Sequence, residues 1–133
     1  MSVVLDEKQL SQLATQVKNP ELLPLANKVY DECNSFSQEK ENYTIDPLTI
    51  ITIMKIMIWL AECMMKWFNS RERAIESTRS LNTLKRWIIR RTATKYAKDR
   101  KEAYYLNQGI CSSVYNLTDS DRELLFEAVD KEN

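Results

Sequence analysis

One glycine and three prolines in 133 residues constrain this chain more than any other feature. Average usage would supply roughly three to four times as many of these backbone breakers. Sandwiches need glycine at their turns, and dinucleotide folds need it in the loop that cradles phosphates. A chain so poor in it is left with helices joined by capping residues. Apolar residues make up 44% and charged residues 29%, enough of the first to bury a core and of the second to wet its surface. At this length the core serves one unit, and residues 1–133 are expected to form a single helical domain.

Histidine is absent. Imidazole metal sites, Ser-His-Asp and Cys-His nucleophile systems, and histidine pH switches are excluded with it. Cys33, Cys63 and Cys111 form no CxxC pair, and their odd number cannot close a complete disulfide framework. They read as small core hydrophobes in a reducing compartment, either the cytoplasm or the inside of an assembly formed there. The first residues lack the basic stretch and apolar core of a leader peptide.

Catalytic constellations fall short in the same way. Asp119, Asp121 and Glu123 begin like a calcium loop, but Leu124 stands where that loop needs glycine. Glu72 and Glu76 lie one turn apart among arginines and read as ion-pair partners. No Walker, Rossmann or GxSxG motif occurs. The sequence therefore predicts no enzyme, no catalytic residue, no metal ligand and no cofactor.

Helix signals follow one another along the chain. Asp6 and Gln9 form a capping box, followed by the apolar stripe Leu10, Leu13, Ala14 and Val17. A second helix is expected from about Pro20 or Pro24 to Glu41. A third, about 47–69, opens on Asp46 as cap with Pro47 at the first helical position. Its text is nearly continuous Ile, Met, Leu and Trp. The charged residues Lys55, Glu62 and Lys66 fall on one narrow edge. Aligned charges mark a bundle helix surrounded on three sides, not a membrane span. Ile53, Ile56, Leu60, Met64 and Trp67 are expected to be buried there.

Residues 71–101 contain no glycine or proline and read as one long basic helix. A shorter helix, about 102–115, follows with Gly109 inside it. The last is opened by either Thr118–Asp121 or Ser120–Glu123. The expected fold is all-α, an irregular bundle of five or six helices with a largely buried central helix.

Net charge is zero, yet it is arranged in blocks. Residues 1–46 carry −4, 47–70 carry +1, 71–101 carry +8 and 102–133 carry −5. On a helical wheel Arg79, Arg86 and Arg90 cluster within about 40°, opposite Leu81, Leu84 and Ile88. Arg91, Lys95 and Lys98 form a second row, and Lys85 belongs to the same block. These seven are the candidate residues for an anionic partner. The opposing reading is that the acidic blocks of this chain, or of a neighbouring copy, lie against them. Four of five methionines and two of three tryptophans lie between Met54 and Trp67. Trp59, Trp67 and Trp87 are the candidate protein-interface residues. The expected function is a non-enzymatic interaction or assembly protein, self-associating or a subunit of a larger complex. Its size and compactness fit a small viral structural or regulatory protein. The alternative is a nucleic-acid-binding protein using 71–101.

Overall fold

Corners in this fold are set by short polar side chains. The computed structural model describes residues 5–132, and among them are seven α-helices and no strand. These are α1 (Glu7–Ala14), α2 (Leu23–Glu41), α3 (Thr49–Trp67), α4 (Arg71–Ser77), α5 (Thr83–Tyr96), α6 (Arg100–Tyr115) and α7 (Asp119–Glu132). A 3-10 turn at Pro20–Leu22 leads into α2. The leader-peptide reading falls largely on residues 1–4, outside the described residues.

Caps account for where the helices begin and end. Asp6 accepts the Gln9 N–H at 2.8 Å, and Gln9 accepts the Asp6 N–H at 3.0 Å. Thr118 and Asp121 bond reciprocally in the same manner, so Thr118 opens α7. Asn42 takes a left-handed conformation (φ 54°, ψ 44°) and stops α2, a role asparagine tolerates better than most residues. Asp46 accepts the Leu48 N–H at 2.9 Å. The next bonds, Thr49 to Asp46 and Ile50 to Pro47, span three residues, which delays regular α-helix to Thr49.

The chain folds around α3, which packs against α2, α4, α5 and α7 and also meets α6. Ile53, Ile56, Leu60 and Met64 are buried as expected, while Lys55 and Lys66 are exposed and Glu62 is half-buried. Trp67 departs from expectation at 47% exposure. It ends α3, and the left-handed turn at Asn69 carries the chain away before anything closes over it. One apolar cluster runs from Leu5 to Val129. Among the described residues no helix is long and apolar enough to cross a membrane.

Two expectations are corrected. Among the described residues the α-helices number seven rather than five or six, and 71–101 is not one long basic helix. That segment is α4, α5 and the start of α6, with breaks at 78–82 and 97–99. No glycine or proline makes these breaks. Ser77 and Thr78 turn their hydroxyls back onto the Ala74 and Ile75 carbonyls as α4 ends. Asn82 accepts the Lys85 N–H at 3.0 Å and Asp99 accepts the Glu102 N–H at 2.8 Å, each starting a new helix.

The one glycine is spent inside a helix, on contact. Gly109 lies where α6 crosses α2, and a Cβ there would stand 2.6 Å from both the Cα and the backbone N of Cys33. The two backbones meet where no side chain fits between them.

Candidate anionic-partner surface

The α5 helix takes its orientation from Lys85, Ile88, Ile89, Thr92 and Ala93, which are buried against α3 and α6. Spacings of three and four put these on one face and leave Arg86, Trp87, Arg90, Arg91 and Lys95 facing solvent. The buried face is rotated from the Leu81–Leu84–Ile88 stripe that the sequence suggested. Leu84 is 49% exposed, and Lys85, expected among the surface cations, is buried.

The reason is visible at the α4–α5 corner. The Lys85 ammonium donates to the Ser77 carbonyl at the end of α4 and to the Ser80 carbonyl at 2.6 Å. A cation at a helix C-terminus satisfies carbonyls that have no partner within the helix. Burial holds the Lys85 pKa below the usual lysine range. Lys85 thus fastens the corner and faces no external anion.

Two more of the seven candidates are occupied. Arg79 pairs with Glu76 at 3.0 Å and with Asp119 of α7 at 3.0 Å. Lys98 lies 3.8 Å from the buried Glu102 carboxylate. Outside the candidates, Arg71 pairs with Asp130 and Lys101 with Glu41 at 3.2 Å. The acidic ends of the chain therefore neutralise part of the basic block, at α4 and at the start of α6. Among the described residues, none of the ion pairs involves Arg86, Arg90, Arg91 or Lys95. All four are exposed across the solvent face of α5, with Arg86 and Lys95 at its opposite edges.

Two grooves flank that face. One, of about 830 Å³, runs between α5 and α6; Arg86, Trp87 and Arg90 form one wall. The other wall carries Asn107, Gln108, Ser112 and Tyr115. The second, of about 670 Å³, runs between α3 and α5 and is lined by Trp59, Trp87, Arg90, Arg91, Lys95 and Tyr96. Trp87 and Arg90 belong to both, and no Asp or Glu lines either. Cations sit over the exposed rings: Arg91 is 5.2 Å from the Trp87 ring centre, Lys95 5.3 Å from Tyr96 and Lys66 5.8 Å from Trp59. Such contacts keep the rings and charges on one shared surface.

Of the three tryptophans proposed as interface residues, Trp59 (43% exposed) and Trp87 (46% exposed) join this surface, and Trp67 lies outside both grooves. The α6 wall was missed in the sequence. Its signal was available: residues 103–118 contain no charged side chain in a chain that is 29% charged. Cys111, also in that groove, donates its S–H toward Asn107 Oδ1 at 3.6 Å. Burial pushes its thiol pKa up against the opposing pull of the Arg86 charge, which keeps it protonated. Among the described residues no cluster of acidic or cysteine side chains could hold a metal ion. No family model, curated protein or solved structure matches this chain.

Proposed function

We propose that this protein works by binding rather than by catalysis, as a helical interaction protein that docks an anionic partner along α5. The observation that carries the reading is the set of exposed cations Arg86, Arg90, Arg91 and Lys95 on α5. These four span the solvent side of the helix, take no part in the chain's ion pairs among the described residues, and border grooves without a carboxylate. Cations without an internal partner leave a positive potential along the helix, and that potential attracts an anionic partner. A binding role suits the side chains present. The grooves hold guanidinium, ammonium, amide, hydroxyl and aromatic groups, and their one thiol is held protonated. The partner supplies a row of negative charge, either a phosphate backbone or the acidic surface of another subunit in an assembly. Three free cysteines suit a reducing, cytoplasmic setting.

Heparin-column retention tests the reading. At about 0.1 M salt, where screening acts over roughly 10 Å, the wild-type protein is retained. Changing Arg86, Arg90, Arg91 and Lys95 together to Gln abolishes retention, whereas Arg71→Gln with Lys101→Gln changes it little. A wild-type protein that passes unretained, or a quadruple variant retained as well as the wild type, overturns the reading.

A further inference from the structure

Resting on that docking reading, we infer that the anionic partner is a single-stranded nucleic acid whose bases stack on the rings of the α5 surface. Acidic proteins and nucleic acids both answer the charge, so the discriminating feature is what lies between the charges. Trp59, Trp87 and Tyr96 stand exposed among Lys66, Arg90, Arg91 and Lys95. Aromatic faces interleaved with cations match a strand that alternates flat bases with phosphates. The carboxylate side chains of an acidic peptide carry no aromatic ring to stack on them.

Arg90, Arg91 and Lys95 border the groove that holds Trp59, Trp87 and Tyr96, and Arg90 also borders the α5–α6 groove together with Arg86. The α5–α6 groove adds a wall suited to base edges. Asn107, Gln108 and Ser112 offer both donors and acceptors with no competing charge. Trp87 is shared by both grooves and is the central stacking ring. Bases reach a ring face only when unpaired, so a duplex satisfies the arginines and leaves the tryptophans idle.

The test compares fluorescently labelled oligo(dT) of about 12 nucleotides, within the usual range of site sizes, with a duplex and a poly-glutamate peptide of equal length. Anisotropy should show at least tenfold tighter binding to oligo(dT) than to either, with quenching of tryptophan fluorescence. Trp87→Ala should weaken oligo(dT) binding about 5- to 150-fold, the range for losing one stacked base. The same variant should keep its heparin retention, and Trp87→Phe should restore most of the affinity. Each phosphate engaged should contribute about −0.7 to the slope of log affinity against log salt, so Arg86→Gln with Arg90→Gln should flatten that slope by about 1.4. Poly-glutamate or duplex binding as tight as oligo(dT), or full affinity in Trp87→Ala, overturns the inference and leaves the docking reading standing. Failure on both heparin and oligo(dT) removes both.

Discussion

Replacing the glycine at the α2–α6 crossing with alanine should destabilise the fold. Two effects oppose each other there. Alanine is the better helix former, worth about 1 kcal/mol in a helix interior. Against this, its methyl would sit 2.3 Å from Cys33 Sγ and 2.6 Å from the Cys33 Cα and N. The sulfur could be removed or rotated, but the backbone atoms cannot move unless α2 and α6 separate. Overpacking a tight core typically costs about 1–3 kcal/mol, and a clash with backbone belongs at or above the top of that range. Subtracting the helix-propensity gain leaves a net loss of about 2 kcal/mol or more for Gly109→Ala. For a chain of this size each kcal/mol lowers Tm by roughly 4 °C, so the expected shift is about 8 °C. Urea melts followed by circular dichroism measure it directly. A double variant isolates the cause: Cys33→Ala removes the sulfur contact but not the backbone one, so Gly109→Ala should remain destabilising in that background. Equal or greater stability of Gly109→Ala than wild type would refute the close-approach argument. Full rescue by Cys33→Ala would place the clash on the thiol alone.

Three further outcomes follow from buried groups. Leu60, in the middle of α3 and 2% exposed, should cost about 2–5 kcal/mol on change to Ala, read from the urea midpoint. Lys85→Met strands the Ser77 and Ser80 carbonyls and should cost about 1–3 kcal/mol, with faster amide exchange in α4 than in α6. Tyr30 donates its hydroxyl to the Ile45 carbonyl at 2.6 Å, and burial, then the Asp46 and Asp31 charges, push its pKa up to about 12. A raised acid pKa means the folded state holds the proton longer. That share of stability is therefore complete below pH 10 and is lost between about pH 10 and 12, a decline that Tyr30→Phe should flatten in alkaline melts.

Sequence patterning carried the helix class and the central helix because both are periodic. Ile53, Ile56, Leu60 and Met64 recur at three and four, and the structure buries all of them. What failed was punctuation. Ser77, Thr78, Asn82 and Asp99 end or begin helices through hydrogen bonds that depend on local geometry, whereas glycine and proline act through forbidden backbone angles and can be read directly. Losing those boundaries shifted the wheel. Arg79 and Arg86, aligned on a supposed single helix, are separated: Arg79 lies in the α4–α5 corner and Arg86 within α5. Lys85 was grouped with the surface cations because a lysine reads as exposed until an unsatisfied helix end is found beside its ammonium. Gly109 weakened a helix prediction from its own sequence neighbourhood, while its purpose lies in residue 33, which no local pattern reveals.

Block charges pointed toward internal neutralisation, and topology decides how far that goes. The acidic termini total −9 and the basic block +8, a balance that invites complete pairing. However, α7 packs on α3 and α4, and α2 packs on α3 and α6. Their carboxylates reach Arg71, Arg79 and Lys101 and go no further. The helices that flank α5 are α3 and α6, each of which carries a single acidic residue. Glu102 is buried and paired with Lys98, and Glu62 of α3 lines neither groove. With no carboxylate supplied by its two neighbours, α5 keeps its charge whatever the total says. A salt titration of heparin retention would then separate the two sets. Arg86, Arg90, Arg91 and Lys95 should govern its steepness, and Arg71, Arg79 and Lys101 should instead govern how stability responds to salt, because their partners lie within the chain.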